Sequence, residues 1–228
     1  MRIARRFRGP PDSGNGGYVA GMLARELGSS NVLVTLHHPP PLERDLDLGG
    51  DGVTAWLKDG EAVIATAEKH MLAIETSSPP SLSEAEVAES GYTGFRTHAF
   101  PGCFVCGPER SPGDGLRTFA GASGAGQVAA VWHPDESLLD SSGAVRPQFV
   151  WAALDCPGYW AVAAKAGIAV LGRFAAIIHA DPFPCEPHVV TGWPIRSDGR
   201  KHLAGTAIYD GRGQLLAAAE ATWITLKG

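Results

Sequence analysis

Two stretches of this chain, TAWLKDGEAVIATAE at residues 54–68 and TAIYDGRGQLLAAAE at residues 206–220, align without a gap at a constant offset of 152. Thr54, Ala55, Ala65, Ala67 and Glu68 recur as Thr206, Ala207, Ala217, Ala219 and Glu220. Each stretch carries an Asp-Gly pair between runs of apolar and polar residues, Asp59-Gly60 in one and Asp210-Gly211 in the other. That is the sequence signature of a β-hairpin. The elements ahead of each hairpin also recur in order. Residues 14–27, GNGGYVAGMLAREL, begin with a glycine-rich turn. They place Tyr18, Met22, Leu23 and Leu27 at helical spacing before a terminating Gly28. An apolar strand at 32–36 follows and stops at Pro39-Pro40-Pro41. In the far half, residues 148–164 predict a helix with Pro147 in its first turn, and a strand at 174–179 stops at the proline-rich stretch 182–187. The repeated order predicts an internal duplication of two similar α+β halves.

The expected boundaries are 1–70 for the first half, 71–99 for a linker and 100–228 for the second half. Further strands are expected at 45–48, 53–57 and 62–67, then at 115–119, 128–132, 189–195, 202–209 and 214–226. Within the linker, residues 83–90 predict a short helix with Ser83 as N-cap and Glu86 three residues on.

The second helix is apolar almost all round, through Phe149, Val150, Trp151, Ala152, Ala153 and Leu154. Such a helix must be covered on most sides. A long curved sheet does this, and a second copy satisfies the sheet's free edge. The high counts of Gly (29) and Pro (17) favour many turns and short strands. A net charge of −5, with no basic cluster beyond Arg5-Arg6-Phe7-Arg8, argues against nucleic acid as a partner. No run of apolar residues reaches membrane-spanning length. The N-terminus lacks the apolar core of a secretory signal, and four cysteines are too few for a disulfide scaffold. A reducing cytoplasm is the expected compartment, and assembly into homo-oligomers is left open.

GNGGYVAGMLAREL followed by VLVTLHHPPP resembles the N-terminal half of double hot-dog acyl-CoA thioesterases, where a Gly-Gly pair opens the central helix. CFVCGPERSPGDGLRTF followed by VAAVWHPDE is similar to the opening strands of single-domain hot-dog thioesterases of the phenylacetyl-CoA type. ALDCPGYWA matches the place where those proteins carry a helical acid. The resemblance implies an α+β double hot-dog of two joined antiparallel sheets, each wrapping a central helix. It also implies an acyl thioester, acyl-CoA above all, as the small-molecule partner. In such families the acid of one helix works with the start of the other. The Asp–Thr–Gln set of acyl-CoA thioesterase II is not evident here, and Trp160 stands where hot-dog hydratases carry a histidine.

Thioester hydrolysis requires donors where the oxyanion develops and a carboxylate that activates water or attacks the carbonyl. Gly16 and Gly17 at a helix N-terminus offer free backbone N–H groups, with Asn15 as the cap. The competing reading makes the glycines a plain turn. Asp155 stands in an apolar helix, where burial would raise its pKa and suit it to be a base or nucleophile. It could instead cap a segment restarted at Pro157, since proline removes a helical hydrogen bond. The first helix has Met22, Leu23 and Ala24 where an acid would sit, and the second opens with Arg146-Pro147-Gln148. One composite site, with Asp155 within roughly 10 Å of the Gly16 or Gly17 amide and a thioester carbonyl and water between them, is the expectation. Cys103-x-x-Cys106 has the spacing of half a zinc site. No second CxxC follows; Cys156, Cys185, His98 and His133 are possible ligands but irregularly spaced, so no metal or cofactor is assigned. A non-catalytic acyl-thioester or small apolar ligand binder, and a zinc-dependent interaction module, are the other function classes.

Overall fold

The computed structural model describes residues 1–124 and 126–227. In the first half, α1 (Gly16–Leu27) leads to β1 (Asn31–Leu36), β2 (Asp47–Gly50), β3 (Thr54–Asp59) and β4 (Ala62–Lys69). Next come α2 (Leu82–Ser90), β5 (Gly121–Gly124) and β6 (Gln127–Trp132). Finally α3 (Pro147–Ala166) leads to β7 (Ala169–Ile178), β8 (His188–Asp198), β9 (Lys201–Tyr209) and β10 (Leu215–Thr225). Among the described residues, no helix is long and apolar enough to cross a membrane.

The strands form one continuous antiparallel sheet in the order β2-β3-β4-β1-β7-β10-β9-β8-β6-β5. Reading outward from the central β1–β7 pair gives β4, β3, β2 on one side and β10, β9, β8 on the other. The order is mirrored about a seam in which Val34 faces Phe174 and Leu33 faces Ala175. Every strand of the repeated unit thus has its counterpart, and β6 and β5 extend the second side. The ungapped alignment does not survive as register. Thr54 pairs with Glu68, whereas Thr206 pairs with Ala219 and Glu220 with Gly205. Each hairpin carries a bulge, at Leu57/Lys58 and at Leu215/Ala217, and the difference arises at the turns, where Asp59 pairs with Ala62 but Tyr209 pairs with Leu215.

Both long helices lie on this sheet, α1 against β1 to β4 and α3 against β6 and β8 to β10. They cross each other closely. A Cβ at Gly17 would lie 2.6 Å from Asp155 Cβ and 2.7 Å from the Trp151 carbonyl oxygen. One at Gly21 would lie 2.4 Å from Gln148 Cα. As α1 advances, its contacts retreat along α3, so the helices run antiparallel. The two glycines, four residues apart, clear one face of α1 for backbone contact. Around this crossing, Trp151 meets Phe174 edge-on at 5.4 Å, and Phe7 stacks on Tyr18 at 4.3 Å.

Three sequence expectations need correction. Residues 115–119 form no strand; they run alongside the 103–107 turn, with Leu116 N–H donating to the Phe104 carbonyl and Thr118 N–H to the Val105 carbonyl. The linker helix starts two residues early, because Ser81 and Glu84, not Ser83 and Glu86, make the reciprocal capping box. Pro157 does not break α3, which runs unbroken from Pro147 to Ala166. The helix is held on the sheet side, where the Pro157 carbonyl lies so close to Gly192 that a Cβ there would meet it at 2.4 Å. The lost hydrogen bond is offset by burial of the helix on both sides.

Candidate active site

The N-terminus of α1 points at the middle of α3. Asn15 is the N-cap, and its Oδ1 accepts from the Tyr18 N–H at 2.9 Å. That bond fixes the amide orientation and leaves Nδ2 as a donor. Nδ2 donates to Asp155 Oδ2 at 2.7 Å, and the Gly17 N–H donates to the same oxygen at 3.0 Å. Asp155 is 2% exposed, and its Oδ1 has no partner among the described residues. Burial pushes its carboxyl up to about 7, against the Gly17 N–H and with a contribution from nearby Cys103; the Asn15 amide also opposes the rise. A carboxyl so placed exchanges protons near neutrality, as a general base requires.

The structure therefore brings Asn15, Gly17 and Asp155 together across the two halves, more tightly than expected. The contact between Asp155 and Gly17 is direct, so no carbonyl and water fit between them. The Gly17 N–H is engaged by the acid. The Gly16 N–H, at the first position of α1, makes no hydrogen bond to another described residue. Asp155 does cap a helix, but it caps α1 rather than a segment restarted at Pro157. At the mirrored position no acid appears; Met22, Leu23 and Ala24 are buried apolar side chains.

Asn15, Gly16 and Asp155 line a cavity of about 410 Å³. Its walls come from both halves, with Leu36 and the His37–Pro40 stretch on one side and Leu171, Trp223 and Ile224 on the other. His179, just after β7, is exposed and does not line the cavity.

The remaining wall is made by residues that the sequence offered as possible metal ligands without regular spacing, and the structure brings them together. Cys103, Cys106 and Cys156 are buried there with their sulfurs all within 4.8 Å of one another. Cys103 is held well below its usual pKa by the thiols of Cys106 and Cys156, which act as donors, while burial pushes those two thiols up. His98 Nε2 lies 3.3 Å from Cys106 Sγ, and its Nδ1 accepts the Phe100 N–H at 2.9 Å. The available signal was Cys156 standing next to Asp155 on α3, one residue from the acid that faces the other half.

No protein-family model and no curated protein matches the chain by sequence. Solved structures do match its fold. The TesB protein of Mycobacterium avium subsp. paratuberculosis is 11% identical, with a TM-score of 0.61 over 94% of this chain and 88% of its own. A Novosphingobium aromaticivorans protein whose name places it among thioesterases is 11% identical, with a TM-score of 0.61 over 100% of this chain and 94% of its own. A Thermobifida fusca protein named as a thioesterase II is 14% identical, with a TM-score of 0.59 over 95% of this chain and 89% of its own. At such identities the likeness is one of fold, and the chain shares the architecture of proteins named as thioesterases.

Proposed function

We propose that the chain is a double hot-dog thioesterase that hydrolyses acyl thioesters, acyl-CoA first among them, at one composite site between its halves. The observation that carries this reading is a buried carboxylate with one oxygen held by the Gly17 N–H and Asn15 and the other unpaired, on the wall of an apolar cavity. The fold shared with named thioesterases supports it. In this scheme the acyl chain lies along Leu36, Leu171 and Ile224. Asp155 Oδ1 takes a proton from water as the water oxygen attacks the thioester carbon. The Gly16 N–H donates to the oxyanion. The C–S bond then breaks, and the thiolate leaves with the proton from Asp155. A cytoplasmic location, where acyl-CoA is available, fits this chemistry.

The test is release of free thiol from a panel of acyl-CoAs, comparing the wild-type chain with Asp155→Asn. Turnover that depends on Asp155 supports the reading; undiminished turnover in the variant removes it.

One observation favours a second reading. Both bonds to Asp155 Oδ2 are those a helix cap makes, which suits a non-catalytic binder of acyl thioesters or small apolar ligands. Acyl-CoA that raises the melting temperature, with no turnover on any thioester, would select it.

A further inference from the structure

The cysteine wall of the cavity belongs to no step of the proposed hydrolysis, and its geometry has its own logic. Residues 103–107 form a tight turn closed by the Gly107 N–H on the Cys103 carbonyl at 3.0 Å. Only glycine fits at 107, where a Cβ would lie 2.4 Å from the Pro101 carbonyl oxygen and 2.5 Å from Cys103 N.

The turn is fastened from outside as well. The Cys106 carbonyl accepts the Tyr92 hydroxyl at 2.8 Å, and the Phe104 N–H donates to the Arg8 carbonyl at 2.7 Å. Arg110, itself 6% exposed, donates through Nε and Nη2 to the Gly102 carbonyl. A third sulfur arrives from α3, and Cys103 Sγ lies 3.8 Å from Cys156 Sγ. Two thiolates bound to one tetrahedral zinc, at about 2.3 Å each, are separated by about that distance.

We propose that Cys103, Cys106 and Cys156 bind a single soft divalent cation, Zn²⁺ in the first place, with the fourth coordination position facing the cavity. His98 is a positioning residue rather than the fourth ligand. Because its Nδ1 accepts the Phe100 N–H, its Nε2 carries the proton and donates to Cys106 Sγ. Imidazole N–H to a ligating thiolate is a common outer contact that orients the ligand. A water completes the tetrahedron. The cation binds as three thiols lose their protons and three S–metal bonds form, with no change of oxidation state. Its role in the fold would be to tie the 103–107 turn to α3 beside Asp155, across residues that are far apart in the chain.

The experiment uses the full chain without a histidine tag, reduced and freed of metal by chelator, and titrated with Co²⁺ as a spectroscopic stand-in. Expected are thiolate-to-cobalt charge transfer and the visible bands of four-coordinate cobalt, saturating at one ion per chain and displaced by Zn²⁺. Cys185→Ser, which changes the exposed cysteine, should leave the titration unchanged. His98→Ala should weaken binding by about 10- to 100-fold, the usual effect of losing an outer contact. Cys156→Ser, checked for folding by circular dichroism, should weaken it further and reduce the charge-transfer intensity. No cobalt–thiolate absorption in the reduced wild-type chain would overturn the proposal. So would a Cys103–Cys156 disulfide, found by mass spectrometry, as the resting state of chain purified without metal. Neither result bears on whether Asp155 supports hydrolysis, which the acyl-CoA assay decides separately.

Discussion

Asp155 is the residue on which the functional reading turns, and its isosteric amide separates the two roles open to it. Asparagine keeps the size of the side chain and can still accept from the Gly17 N–H, but it cannot take a proton from water. General base catalysis contributes about 10²- to 10⁴-fold, so kcat of Asp155→Asn should fall by that range while its far-ultraviolet dichroism is unchanged. A variant that melts lower and turns over normally would leave Asp155 as the cap of α1. This residue was legible in the sequence because it is the lone acid in an apolar helix, and Asn15 because it precedes a glycine-opened helix. The Gly16 and Gly17 amides were legible as a pair but not in their separate states. Which N–H meets the acid depends on how deeply α1 drives into α3, and no local pattern encodes that depth. Cys156 was visible as a possible ligand, but its meeting with the CxxC 50 residues earlier was not, because its side chain's direction is set by the tertiary crossing.

At the level of elements, the crossing of α1 and α3 depends on Gly21 as much as on Gly17. Replacing a mid-helix glycine by alanine ordinarily gains about 1 kcal/mol of helix propensity. Here the added methyl would sit 2.4 Å from the backbone of Gln148, which cannot turn aside as a long side chain can. Overpacking costs about 1–3 kcal/mol, so Gly21→Ala should lower unfolding free energy in denaturant despite the propensity gain. An alanine variant as stable as the wild type would show that the helices do not meet there.

The start of β8 carries a second dependence, on pH. His188 is fully buried; its Nε2 accepts the Phe183 N–H at 3.1 Å, and its Nδ1 faces the Glu186 carbonyl at 2.9 Å. Burial lowers its pKa; the carboxylates of Glu186 and Asp210 oppose this, and His133 reinforces it. The folded chain therefore favours the neutral ring. This contribution to stability is complete above the unfolded value of about 6.5 and is lost as pH falls through 6.5 toward the lower folded value. The Asp155 carboxyl, raised by burial, works the other way over the same range, so the test is a difference: from pH 7.5 to pH 5 the unfolding free energy of the wild type should fall relative to that of His188→Gln. An equal slope in both proteins would assign the acid sensitivity to other groups. The strand itself was legible from its β-branched run, whereas the burial of His188 was not, because a histidine at a strand end is as often exposed.

Across the whole molecule, the mirrored halves invite the expectation that each folds by itself, and the seam argues otherwise. β1 and β7 each donate one edge to the central ladder, so separating the halves would open two long strand edges in the middle of the sheet. The principal core runs across the same boundary, holding Val34 and Leu57 from one side together with Phe149 and Phe174 from the other. The order of helix, strand and hairpin was readable in sequence because alternation and turn residues are local signals. That the halves join was expected from the need to cover a sheet edge, but the strands that make the seam were not readable, since the β1–β7 pairing links residues about 140 apart. Shared core and shared ladder together imply one cooperative unit. In graded denaturant, hydrogen exchange followed by mass spectrometry should show peptides from β3–β4 and from β9–β10 losing protection at the same concentration. Loss of one hairpin well before the other would mean that the seam is weaker than the cores it joins, and the halves would then be separable domains.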